Sequence, residues 1–197
     1  MKFSVNWFET SGKANFEKYL TDLKGRSNLR FLEIGCFEGQ ATRWMLENIL
    51  TGKGSEITVV DTFEGSMEHK DSEVAEIKNL GNGNLLNRFK ENIAEFLDQK
   101  VSIIVGKSQD ALQILPIEYF DFIYIDGSHT AYDTLTDAVI AFMKLKKNGI
   151  IIFDDYGWHG YDDETLNPKI GIESFLNCFK GQYELLFMGY QVGIKKI

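Results

Sequence analysis

Residues 31–49 read FLEIGCFEGQATRWMLENI, and this stretch decides the architecture. Phe31–Ile34 is a short apolar run interrupted only by Glu33, and glycines at 35 and 39 close it. Such a run predicts a strand that ends in a tight turn, because glycine lets the backbone bend sharply and approach a ligand. Ala41, Trp44, Met45 and Ile49 then recur at helical spacing, so a helix follows the turn directly. Strand, glycine turn and helix together open a parallel α/β unit.

The same alternation continues outward. Ile57–Val60 is a second strand ending at Asp61, Val101–Val105 a third, Asp121–Ile125 a fourth and Ile150–Phe153 a fifth. Leu85, Phe89, Ile93 and Phe96 mark a helix before the third strand. Leu135, Ala138, Val139, Phe142 and Met143 mark the buried stripe of a long helix before the fifth. That helix is expected to end on Lys144, Lys146 and Lys147, which suit the negative end of its dipole, with Asn148-Gly149 as a left-handed cap. Pro168 opens a last helix through Ile172, Phe175, Leu176 and Phe179. The final runs, 183–187 and 191–195, are too close for a parallel crossover and must pair antiparallel. Residues 156–167 read as a polar, mobile loop. Residues 64–84 show no period, and irregular structure or a short helix is expected there.

At 197 residues, with 44% hydrophobic and 25% charged residues, the chain is expected to form one domain over 1–197, residues 1–25 being a helical lid segment. A net charge of −8 without a basic cluster disfavours nucleic acid. No apolar run is long enough for a bilayer, and no secretory leader is evident, so a cytoplasmic location is expected. Cys36 and Cys178 lack metal-ligand spacing and read as packed thiols.

In an open parallel sheet, ligands bind beyond the carboxyl ends of the strands. Those ends carry Gly35–Gly39, Asp61, Gly106–Gln109, Asp126–His129 and Asp154-Asp155. The dinucleotide fingerprint is absent, because Phe37 stands where its second glycine belongs. Asp61, 22 residues beyond Gly39, can accept the hydroxyls of a ribose or simply cap a turn. A ribose-gripping acid without a pyrophosphate loop points to a nucleoside lacking phosphates, and S-adenosylmethionine fits.

Over roughly residues 30–195 the chain resembles the class I S-adenosylmethionine-dependent methyltransferases. GKSQDAL at 106–112 resembles the adenine-side loop of the catechol O-methyltransferases; IDGSH and FDDY resemble the metal-dependent O-methyltransferases, including the macrocin type. The resemblance implies a Rossmann-like, open, mostly parallel seven-stranded sheet with an antiparallel C-terminal strand and helices on both faces. It implies that Glu33, Gly35 and Gly39 shape the methionine end of the cofactor pocket, with Phe37 against the cofactor. Asp61 would hold the ribose, and Ser108 and Gln109 would contact the adenine. Asp126, also beside the cofactor, would bind a divalent metal with Asp154 and Asp155, although the catechol enzymes carry asparagine at the third position. His129 falls where those enzymes carry a lysine base. Ala41 departs from the pattern, replacing a serine that helps hold the cofactor's carboxylate.

The chemistry agrees with these roles. Three aspartates form a hard, oxygen-only set suited to Mg²⁺ or another hard divalent cation, which lowers the pKa of a bound hydroxyl. His129 and Asp126 are therefore the catalytic candidates, His129 as the base. The expected activity is methylation of a small hydroxyl-bearing molecule, a sugar or natural product, with Mg²⁺. Metal-independent methylation of another acceptor, or cofactor binding without catalysis, are the alternatives. His129 could also be a structural residue at a helix start, and Asp154-Asp155 a turn cap. His159 and Trp158, in the 156–167 loop, could touch substrate but read more readily as surface residues, and His69 receives no role. The antiparallel tail and the aromatic amino terminus are compatible with a homodimer.

Overall fold

The structure, a computed structural model, describes residues 2–65 and 84–197. His69 and nearly all of the patternless 64–84 stretch lie outside the described residues. Leaving aside single helical turns such as Leu97–Lys100, the elements in chain order are α1 (Lys13–Tyr19), β1 (Arg30–Ile34), α2 (Gln40–Asn48), β2 (Glu56–Asp61), α3 (Asn84–Asn92) and β3 (Val101–Val105). They continue as α4 (Ser108–Ile114), β4 (Phe120–Ile125), α5 (Ala131–Lys144), β5 (Leu145–Phe153), α6 (Pro168–Cys178), β6 (Tyr183–Met188) and β7 (Val192–Lys196). The strands form one seven-stranded sheet in the order β3-β2-β1-β4-β5-β7-β6. β2 and β3, β1 and β4, and β4 and β5 pair parallel, while β7 runs antiparallel to β5 and β6, as the short final connection required.

The chain divides into two compact units, one comprising residues up to Leu29 with Cys36–Gly106, the other Arg30–Gly35 with Lys107–Ile197. In the first, Phe16, Leu20, Met45, Leu50, Ile57, Val59 and Phe89 are fully buried. Before α1 the chain makes a single π-helical turn, Phe8–Gly12, whose Phe8 packs edge-on against Phe16. The apolar spacing from Leu85 to Phe96 is not one helix: α3 stops at Asn92, and a 3-10 turn, Ala94–Phe96, follows. In the second unit Phe31, Phe122, Ile123, Ile152 and Phe153 fill the sheet, and Phe142, Phe175 and Phe179 join α5 to α6.

Three sequence expectations need correction. The long helix ends at Lys144, not at Asn148-Gly149, because fully buried Leu145 already pairs with Phe120 at the start of β5. Lys144 is buried and donates to the Leu115 carbonyl at 2.6 Å, and Lys146 bonds Asp121 at 2.9 Å. The left-handed Asn148 (φ 64°) therefore lies within β5, near the shift in register against Phe120–Phe122. The buried face of α5 is also rotated: Thr134, Asp137, Ala138 and Ala141 face inward, and Met143 is half exposed. A carboxylate in that face hid it from an apolar reading. Finally, Cys178 is exposed, at the end of α6, whereas Cys36 is buried as expected.

Candidate active site

In the first unit the turn after β1 hangs on Asp61. Cys36 and Phe37 donate their backbone N–H groups to Asp61 Oδ2 at 2.8 and 3.0 Å, and Phe63 donates to Oδ1 at 2.7 Å. Asp61 is thus a turn anchor at the end of β2, whatever else it binds. Its grip holds Phe37 at φ 47°, a left-handed conformation that costs an ordinary residue roughly 1–2 kcal/mol. Gly39, at φ 85°, is wedged against the Phe89 ring, which a Cβ would meet at 2.9 Å.

In the second unit the residues at the ends of β4 and β5 gather in a small cleft, lined by Asp126, His129, Asp154, Asp155 and Pro168 among others. Each carboxylate of Asp126, Asp154 and Asp155 offers an oxygen within 4.8 Å of the others, so the spacing suits one hard cation. Burial, then the neighbouring charges of Asp154, Asp155 and Glu33, push the Asp126 pKa well above the ordinary carboxylate range. Burial and Asp155 push Asp154 up to about 6. Three acids held this close without a cation repel one another, which fits a cation site.

Gly35 makes the approach possible. The Asp126 N–H donates to the Ile34 carbonyl at 2.8 Å, and a Cβ at Gly35 would lie 1.9 Å from the Asp126 carbonyl oxygen. Glu33 is buried on β1 and acts on Asp126 through its charge.

His129 is placed by the start of α5. Thr130 caps the helix by accepting from the Asp133 N–H at 3.2 Å, and Thr134 Oγ1 donates to the Ser128 carbonyl at 3.1 Å. His129 Nε2 lies 2.9 Å from Asp155 Oδ2, and the Trp158 ring packs against the imidazole with centroids 4.3 Å apart. Asp155 has φ 57°, and its other oxygen accepts from the Tyr190 hydroxyl at 2.7 Å.

The structure thus brings Asp126, His129, Asp154 and Asp155 together. It also adds residues the sequence reading missed. Tyr124 on β4 donates its hydroxyl to Asp154, and Tyr190, in the β6–β7 connection, serves Asp155. Neither contact leaves a spacing signal, since the partners are 30 and 35 positions apart. Trp158 is engaged at the site, and His159, beside it, is exposed.

Ser108 and Gln109 face a second group of acids. Gln109 Nε2 donates to Asp133 Oδ1 at 3.2 Å, and Ser108 hydrogen-bonds Asp137. Asp137 is almost fully buried, its Oδ1 has no hydrogen-bond partner among the described residues, and burial pushes its pKa up to about 7. Because that pKa is raised in the fold, its contribution to stability is greatest below the unfolded pKa and is lost as pH climbs toward 7. Asp137→Asn is therefore expected to flatten the dependence of Tm on pH between about 4 and 7. Thermal melts across that range check it, and an unchanged slope refutes it.

The open sheet with its reversed β7, and glycine and acidic residues at the strand ends, define a class I S-adenosylmethionine-dependent methyltransferase. The sequence profile of a methyltransferase-domain family matches residues 32–156, more than half of the chain, and the protein belongs to that family. No curated protein sequence matches it. Among solved structures, the O-methyltransferase from Bacillus cereus in complex with SAH is 21% identical, with a TM-score of 0.58, over 85% of this chain and 74% of that one. TomG, the Streptomyces achromogenes O-methyltransferase of tomaymycin synthesis in complex with SAM, is 14% identical with a TM-score of 0.60, over 85% and 72%. Cofactor-bound Rv0187 from MTB is 15% identical with a TM-score of 0.64, over 93% and 80%. At these identities the likeness bears on the fold. Among the described residues, no helix is long and apolar enough to cross a membrane.

Proposed function

We propose that this methyltransferase methylates a hydroxyl of a small molecule and uses a divalent cation held by Asp126, Asp154 and Asp155. The observation that carries the reading is the group of three carboxylates with His129 beside it. The O-methyltransferase names of two structural relatives support the choice of oxygen as acceptor. Asp61 is assigned to the ribose of the cofactor, Phe37 to a place against the cofactor, Ser108 and Gln109 to the adenine, and Glu33, Gly35 and Gly39 to the methionine end. Asp126 is assigned to cofactor and cation together.

Transfer of a methyl group from sulfur to a hydroxyl oxygen breaks the S–CH₃ bond, forms an O–CH₃ bond and releases the hydroxyl proton. We assign His129 to take that proton. Asp155 Oδ2, 2.9 Å from Nε2, would stabilise the imidazolium that results. Trp158 and Tyr190 fix the ring and the acid, so that positioning supplies part of the catalysis. A bound Mg²⁺ would orient the acceptor hydroxyl and lower its pKa.

One observation favours a second reading. Both oxygens of Asp155 are already engaged, by His129 and Tyr190, so the His129–Asp155 pair could serve as a base without a metal. Asp154→Asn separates the two. It is expected to weaken Mg²⁺ binding by about 100-fold or more, since even outer partners of a metal are worth about 10- to 100-fold, while SAH affinity stays within about twofold. Calorimetry with SAH and with Mg²⁺ measures both. Absence of Mg²⁺ binding to the unsubstituted protein would favour the metal-free dyad.

A further inference from the structure

The described part of the first unit holds a feature beyond the Asp61 anchor and the cation site. Glu38 sits inside the glycine turn, yet its carboxylate is 1% exposed. It receives the Ser4 backbone N–H on Oε2 at 2.6 Å and the Ser4 hydroxyl on Oε1 at 2.8 Å, and Arg88 lies 3.6 Å from Oε1. Asn92, also buried, completes the tie. It accepts from the Lys2 N–H at 2.8 Å and donates to the Lys2 carbonyl at 3.0 Å and the Glu38 carbonyl at 2.9 Å. Gln40 donates to the Val5 carbonyl at 2.8 Å.

Residues 2–5 are therefore lashed to residues 38–40 and to α3, by side chains bonded to backbone groups and by the Ser4 hydroxyl on Glu38. The consequence falls on Phe37. Trp7, two residues beyond the last of these ties, stacks on the Phe37 ring with centroids 5.5 Å apart and planes 29° apart, and Trp7 itself remains 50% exposed. A half-exposed ring set on a left-handed aromatic residue adds little to a core. It braces the turn from outside.

We propose that Glu38 is a positioning residue for the cofactor turn: it anchors residues 2–7 so that Trp7 braces Phe37 in its binding conformation. The proposal rests on the assignment of Phe37 to the cofactor. A turn already held in its bound shape loses less freedom when the ligand arrives, so release of the strap appears as weaker binding. Burying a carboxylate is unfavourable unless its oxygens are paired, and here Ser4 supplies both hydrogen bonds beside the Arg88 guanidinium, so the acid and the strap support each other.

The test is calorimetry with SAH on the full chain, comparing Glu38→Ala, Trp7→Leu, Ser4→Ala and the Glu38→Ala/Trp7→Leu double variant, with hydrogen exchange read over residues 2–8. Glu38→Ala is expected to speed exchange over that segment and to weaken SAH about tenfold. Trp7→Leu is expected to weaken it similarly, and the double variant no further, because both act through one segment. Mg²⁺ affinity should stay constant throughout, and Glu38→Gln, which keeps an accepting oxygen, should restore part of the loss. Released residues 2–8 with unchanged SAH affinity, or single losses that multiply in the double variant, overturn the proposal. Should Glu38→Ala not fold, unchanged affinity in both Trp7→Leu and Ser4→Ala overturns it equally. Failure of the unsubstituted protein to bind SAH would instead remove the assignment of Phe37, before any variant is compared.

Discussion

Asp61→Ala is expected to abolish measurable SAH binding and to lower stability by about 3 kcal/mol. One carboxylate accepts the backbone N–H groups of Cys36, Phe37 and Phe63. Hydrogen bonds to a charged group are worth about 1.5–3 kcal/mol each, and here three depend on a single residue, so the loss should exceed that of one bond without reaching the full sum. The two penalties have different origins. Stability falls because the donors lose their acceptor; binding falls because Phe37 is freed from its left-handed conformation and the ribose loses its proposed partner. Asp61→Asn distinguishes them. An amide can keep two of the three donors while presenting its own NH₂ where the third expects an acceptor. It should recover much of the stability and little of the affinity. Urea unfolding and calorimetry read the two quantities. A folded Asp61→Ala that binds SAH as the unsubstituted protein does would remove Asp61 from the cofactor site.

Gly35→Ala should be the most damaging small substitution in the second unit. Its new methyl would lie 1.9 Å from the Asp126 carbonyl oxygen and 2.7 Å from Gly127 Cα, and the position has φ 78°. Neither obstacle is a flexible side chain, so strands β1 and β4 must separate at their ends, where Asp126 N–H meets the Ile34 carbonyl. Overpacking of about 1–3 kcal/mol adds to a left-handed penalty of about 1–2 kcal/mol. The expected result is a fall in Tm of more than about 10 °C, or no soluble protein. In any folded fraction Mg²⁺ binding should be lost, because Asp126 has moved. Gly189→Ala is the control, since nothing lies within 4 Å of a Cβ there and the backbone is not left-handed. Its Tm should change by no more than about 2 °C. Equal effects at the two positions would show that backbone approach at Gly35 is unimportant.

The legible and the illegible parts of the site differ in kind. Asp126, Asp154 and Asp155 were readable because each ends a strand, and the ends of parallel strands that neighbour one another in a sheet lie close together. The proposed role of Glu38 could not be read, because its partners Ser4 and Asn92 are reached only through the fold, 34 and 54 positions away. Asp137 was hidden for another reason. A buried acid on an apolar helix face looks like solvent-facing polarity until Ser108 is found against it.

By itself the amino-acid order determined the alternation of strands and helices, the turn at Gly35–Gly39 and the antiparallel hairpin at the end. Those features follow from side-chain periodicity and from conformations only certain residues adopt, and both act over a few residues. Tertiary structure alone decided that α5 stops at Lys144, that Tyr124 and Tyr190 serve the acids, and that residues 2–7 brace the turn. These depend on hydrogen bonds and burial between distant segments, which leave no period in the chain.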